Sequence, residues 1–166
     1  MDTKNHFDVH AYFKGLCENN KLAKENAFKF CKVAGMNGMQ EALTSFIRET
    51  AFFCVDDTTD GTTFERSGGF FQRRVFTVIL LKKYTYGNME DRKTALDICR
   101  KLFNQLYSRM LVDKEILLGD FIYLNTQKVH FREMEKYTFS GCSGLYFMID
   151  VDEPIDLSYE PKEWKE

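Results

Sequence analysis

Proline is nearly missing from this chain: of 166 residues only Pro154 and Pro161 are proline, both close to the end. Nothing therefore marks an internal linker, and one domain long enough to bury a real core is expected. Long apolar runs are also missing. No stretch approaches the roughly 20 apolar residues that a membrane-spanning helix requires, and the opening MDTKNHFDVH has no hydrophobic signal core, so a cytoplasmic location is expected. An excess of either charge is lacking too. The formal net charge of −2 argues against general affinity for nucleic acid or an anionic membrane surface.

Residues with obvious chemistry are equally sparse. His6, His10 and His130 are the only histidines, and the five cysteines (Cys17, Cys31, Cys54, Cys99, Cys142) include no C-x-x-C pair. Zinc would ask for closer spacing, so the cysteines read as reduced, buried thiols. There is no phosphate-cradling glycine loop, because Ser67-Gly68-Gly69 leads into a strand, not a helix. No catalytic residues, metal or cofactor are expected.

Aromatic residues, by contrast, make up 15% of the chain, with phenylalanine dominant, which is ample for a core or a contact surface. The centre of the pattern is Phe70 to Tyr84. Val75, Ile79 and Leu81 (with Thr77) alternate there with Phe76, Val78 and Leu80. A strand apolar at every position is covered on both faces. Arg73, Arg74, Lys82 and Lys83 bracket it, and charges so placed suppress aggregation. With Phe70, Phe71, Tyr84 and Tyr86 nearby they would also suit a nucleic-acid platform, the less favoured reading, or a protein interface.

Around this strand the elements follow in order. Phe7, Val9, Tyr12, Phe13 and Leu16 have helical spacing. Residues 26–34 are either a short strand or a helix, Gly35 and Gly38 interrupt, and Met39, Leu43, Phe46 and Ile47 predict a helix over 39–50. Ala51 to Val55 is a short strand. Asp56 to Gly69 (DDTTDGTTFERSGG) reads as a long polar hairpin loop. Its Asp56, Thr58, Asp60 and Gly61 imitate the first half of a calcium loop, but Ser67 stands where the bidentate glutamate belongs.

Asn88 caps a helix whose stripe of Ala95, Leu96, Cys99, Leu102, Phe103, Leu106 and Met110 runs to about Val112. A marginal strand holds Val129, Phe131 and Met134. Leu145, Phe147, Ile149 and Val151 alternate as a half-buried strand, and an acidic tail with Trp164 follows. The expected fold is α+β: an antiparallel sheet of about four strands, the 89–111 helix on one face and the N-terminal helices on the other. Its parts are an N-terminal helical region (1–50), a sheet-and-helix core (51–152) and a surface tail (153–166).

The run RRVFTVILLKKYTYGNMEDRKTALDICRKLFNQLYSRM, a strand passing by a short polar turn into a long helix, resembles tail terminator (tail completion) proteins of tailed phages and prophages. SGLYFMIDVDEP is similar to that family's late strand, and the chain also resembles uncharacterised proteins of gut Bacteroidetes and their mobile elements. The resemblance implies a small non-enzymatic α+β subunit that assembles into a ring at the head-proximal end of the tail. Its partners would be copies of itself or phage structural proteins, and it would be a virion component. The candidate interaction residues are Asp56, Asp57, Asp60, Phe64, Arg66, Arg73 and Arg74 in and beside the polar run, and Trp164 in the tail. A small-ligand or regulatory binding module and an enzyme with a dispersed site are the other classes left open.

Overall fold

The structure is a computed structural model. It describes residues 6–165 except 57, 136–138 and 140, and only the backbone of residue 36. The chain is α+β. Its ordered elements are α1 (Val9–Asn19), α2 (Lys21–Glu25), β1 (Phe28–Val33), α3 (Gly35–Ser45), β2 (Ala51–Asp56), β3 (Asp60–Arg66), β4 (Gly69–Lys83), α4 (Met89–Leu118), β5 (Tyr123–Glu133) and β6 (Cys142–Ile155).

The apolar run lies at the middle of a mixed six-stranded sheet of order β1-β2-β4-β6-β5. β6 pairs antiparallel along almost the whole of β4, from Phe70↔Ile155 to Lys83↔Cys142. On its other side β4 is shared: Val78–Lys82 pair with β2 and Gly69–Val75 with β3, both antiparallel. The expected long loop is thus mostly strand. Ser67 (φ 51°) and Gly68 (φ 79°) form a two-residue left-handed turn, the geometry that closes a tight hairpin, across which Asp60–Arg66 pair with Gly69–Val75. β2 ends at Asp56 and β3 begins at Asp60.

Six strands replace the four or so expected, and one pair is parallel. β1 runs beside β2 in the same direction, Phe28↔Ala51 to Val33↔Asp56, which requires a crossover between them. α3 is that crossover. It begins at Gly35 rather than 39, because the Gly35 amide is held by the Asp56 side chain at 3.0 Å. The region 1–50 is therefore not wholly helical.

The helices also divide otherwise than expected. Phe13 and Cys17 of α1, Ala23 of α2, and Cys99, Leu102, Phe103 and Leu106 of α4 share one cluster with Phe53, Val78, Leu80 and Phe147. Phe147 lies between Phe13 (6.1 Å) and Phe103 (5.0 Å), so α1 and α4 meet on the same sheet face. The opposite face is covered by Met39 and Ala42 of α3 together with Met134, Phe139 and Cys142, over Phe52, Cys54, Ile79 and Leu81. All five cysteines are free and buried, and burial lifts the Cys17 and Cys99 thiols to about 12.

Asn88 caps α4 through the Asp91 amide at 3.0 Å, but the helix continues for 30 residues to Leu118, past the expected stop at Val112. The added turns hold because Asp113, set in the groove against α1, accepts from Arg109 Nε at 2.8 Å and the Tyr12 hydroxyl at 3.0 Å. The sheet likewise outlasts the expected boundary at 152. Glu153, at 3% exposure, accepts the Phe7 amide at 2.8 Å and pairs with Arg74 at 2.5 Å.

Two tests follow from the packing. A Cβ on Gly144 would sit 1.9 Å from the Leu80 carbonyl oxygen of the neighbouring strand β4. Gly144→Ala is expected to cost at least about 3 kcal/mol in denaturant unfolding, while Gly15→Ala, with nothing within 4 Å, gains up to about 1 kcal/mol from helix propensity.

Arg100 joins α4 to β5 by two bonds to Glu133, 2.6 and 2.8 Å long, which hold the Glu133 carboxyl below its ordinary 4.5. A depressed carboxyl stabilises above its unfolded value and loses the effect as pH falls through the folded one. Arg100→Met should therefore cost about 1 kcal/mol at pH 7, solvent-screened as the pair is. That difference should close as pH drops below 4.5 in parallel thermal melts.

Candidate interaction surface

Strand alternation decides what the far half of the sheet shows. From Gly69 to Val75, β4 has passed beyond the residues that contact α3, yet one of its faces still carries rings. Phe64 and Phe71 are registered partners across the hairpin and stack at 6.0 Å with 22° between planes. Tyr123 of β5 meets Phe71 edge-on at 5.9 Å. None of the three belongs to either hydrophobic cluster, and each is only half-buried.

Two arginines border these rings. The Arg73 guanidinium lies 5.7 Å from the Phe64 centroid, and that of Arg66 lies 6.0 Å from the Tyr123 centroid. Arg73 also donates from Nε and Nη2 to the two oxygens of Asp152, at 2.7 and 2.8 Å. That bidentate bond raises the Arg73 pKa and fixes its position. Among the described residues Arg66 has no such carboxylate bond. The surface is thus an aromatic platform with one arginine locked and one available.

Of the residues expected from sequence, Phe64, Arg66 and Arg73 come together here, and Asp60 lies on the same face at the start of β3, exposed. Arg74 does not. As the next residue along the strand it points to the other face, where Nη2 donates to the Phe7 carbonyl at 3.0 Å beside Glu153. Asp56 serves the fold, with one oxygen accepting from the Gly35 amide and from Thr58. Asp57 lies outside the described residues. Trp164 is remote from the hairpin in sequence, stacks on Tyr159 at 6.1 Å and is 65% exposed.

Sequence reasoning named Phe71 only among the aromatics that would suit an interface, not among the candidate interaction residues, and it missed Tyr123 and Asp152. For Phe71 a signal existed: Ser67-Gly68 as a two-residue turn places it opposite Phe64. Tyr123 and Asp152 depend on the β5–β6 register, which no local pattern gives. His6 and His10 do not share a helix, since α1 begins at Val9. Among the described residues no group of three or more His, Cys, Asp or Glu side chains could hold a metal.

Two further surfaces stand out. A groove of about 640 Å³ runs between α1 and α4, lined by Tyr12, Leu16, Asn20, Gln105, Arg109 and Asp113 among others. Its polar groups mostly engage one another: Asn20 donates to Gln105 at 2.9 Å, and burial with the adjoining Asp113 carboxylate pushes the Tyr12 hydroxyl pKa up. The second is apolar. Leu111, Val112, Ile116 and Leu118 at the end of α4, with Phe121 just beyond, are all exposed. No helix is long and apolar enough to cross a membrane among the described residues. Comparison with protein-family models, curated proteins and solved structures found no match to the chain.

The two arginines should separate on substitution. Arg73→Ala leaves Asp152, 4% exposed, without its partner, and is expected to cost about 2 kcal/mol in chemical denaturation. Arg66→Ala should stay within about 0.5 kcal/mol, the range of an unencumbered surface position.

Proposed function

We propose that this chain is a non-enzymatic assembly subunit that works through contacts with copies of itself or with other structural proteins. The observation that carries the reading is the uncovered half of the sheet. There Phe64, Phe71 and Tyr123 are held rigid by strand pairing and accompanied by Arg66 and Arg73. Aromatic side chains and arginine are the residue types enriched at the centres of protein interfaces. The apolar end of α4 supports the same reading, since Leu111, Val112, Ile116, Leu118 and Phe121 form a second surface without cover.

In its finer form the subunit is tail terminator-like, a ring component of a phage or prophage tail, and so a virion component made in the cytoplasm. Support for this is the resemblance of the Arg73–Met110 run, whose strand, short turn and long helix are β4 and α4. No cofactor, membrane or nucleic-acid partner enters the reading. A small-ligand module is the second reading, favoured by the α1–α4 groove. A ligand there would have to replace bonds that Tyr12, Arg109 and Asp113 already make to one another.

Native mass spectrometry and light scattering at micromolar concentration test the assembly reading. A defined oligomer is expected, weakened tenfold or more by Phe71→Ser, which is about 1.4 kcal/mol per contact. A strict monomer at every concentration overturns it.

A further inference from the structure

The last strand ends beside the platform. β6 pairs to Ile155↔Phe70, one residue from Phe71, and its direction carries the following chain past the hairpin end of the sheet. That following segment, Asp156 to Lys165, has a shape of its own. The Asp156 carboxylate accepts from the Ser158 amide at 2.9 Å and from its hydroxyl at 2.6 Å, and Pro161–Glu163 form a single 3-10 turn. Together these bends bring Tyr159 and Trp164 into their stack. Yet Leu157, Tyr159 and Trp164 are 55–67% exposed. An arm with three large apolar side chains in water has local order and, among the described residues, no covering surface on its own molecule.

Arm and platform complement each other. From residue 156 onward the sequence carries Asp156, Glu160, Glu163 and Glu166 against only Lys162 and Lys165, an acidic and aromatic segment. The platform offers rings and, at its hairpin end, the available Arg66 guanidinium, while Arg73 is neutralised by Asp152 and Asp60 lies at the far end of β3. Ring stacking and a cation facing carboxylates are both served.

We propose that the arm of one copy lies on the Phe64–Phe71–Tyr123 platform of the next, a head-to-tail contact. Such a contact is heterologous: it uses two different surfaces, so the copy that gives its arm keeps its platform free and its partner keeps its arm free, and repetition gives a ring or a filament. The inference rests on the assembly reading and names the interface within it.

Trp164 is the only tryptophan, so its fluorescence reports the arm alone. On concentrating the full chain into the micromolar range, its emission should move to shorter wavelength as the oligomer forms. Deleting residues 156–166, which lie outside the sheet, should weaken association tenfold or more without changing the circular dichroism. Mixing that truncated chain with Phe71→Ser is the sharper arm. The first keeps a platform and the second an arm, so the mixture should form one-to-one heterodimers and nothing larger.

A truncated chain that assembles like the full one overturns the arm contact while leaving the assembly reading standing. A Trp164 shift that is present but independent of concentration places the arm on its own platform and overturns the contact between copies. A full chain that remains monomeric overturns both.

Discussion

Burial of β4 on both faces is the constraint from which the rest of the architecture follows. Its central residues alternate between two cores: Phe76, Val78 and Leu80 lie under α1 and α4, and Ile79 and Leu81 lie against the α3 side. Each strand set beside it must then be apolar on the same two faces, as the wholly buried Ala51–Val55 is. But β4 is 15 residues long, about 50 Å at strand rise, and its doubly covered residues end at Phe76. The remaining half extends past α3 with β3 and β6 for company. A platform open to solvent results from a strand longer than the helical layer on that side.

That extension is held by charge as well as by turn geometry. Two consecutive arginines on β4, Arg73 and Arg74, stand near two consecutive acids on β6, Asp152 and Glu153. Strand alternation sends one pair to each face, Arg73 to Asp152 on the platform side and Arg74 to Glu153 beneath the N-terminal residues. A slip of one residue would exchange the partners of both acids, each at most 4% exposed, and turn the core residues Ile149 and Val151 away from their cluster. Buried ion pairs are poor sources of net stability but costly to break. Here they fasten β4 to β6 on both faces of the extension, while Val151 ties the same stretch to the core.

What the sequence made legible was decided by local periodicity. The two-faced strand at Val75–Leu81, the stripe of α4, the Asn88 cap and the alternation of Leu145–Val151 are all written in neighbouring residues. Pairings between distant strands are not. Nothing near Phe28–Val33 announces that it runs parallel to β2, and so nothing placed α3 alone on one face with α1 and α2 beside α4. The polar run misled for a specific reason: Asp60–Arg66 is strand although nearly every residue is exposed, and exposed two-sided strands lack the apolar alternation by which strands are read. The extent of α4 was underestimated because Asp113 and Lys114 break its stripe. Asp113 is instead the residue that fastens its last turns to α1. For the site, the hairpin members Phe64, Arg66 and Arg73 were within reach, whereas Arg74 was assigned by adjacency when strand alternation separates it from Arg73.

How copies could associate is narrowed by the edges of the sheet. Among the described residues the outer sides of β1, β3 and β5 have no strand partner, and open edges invite pairing with another chain. Each is guarded. β1 exposes Lys29 and Lys32, and β3 exposes Asp60, Glu65 and Arg66. β5 shifts register between Asn125 and His130 and exposes Lys128 and Arg132 beside that irregularity. Charges and bulges of this kind are the usual means of discouraging edge-to-edge sheet extension. No comparable guard covers the rings of Phe64, Phe71 and Tyr123, where Arg73 is neutralised by Asp152 and leans on the aromatic surface. A sheet that closes its edges while leaving half of one face aromatic favours contact through that face, and contact through a face permits selection of one partner where an open edge would accept many.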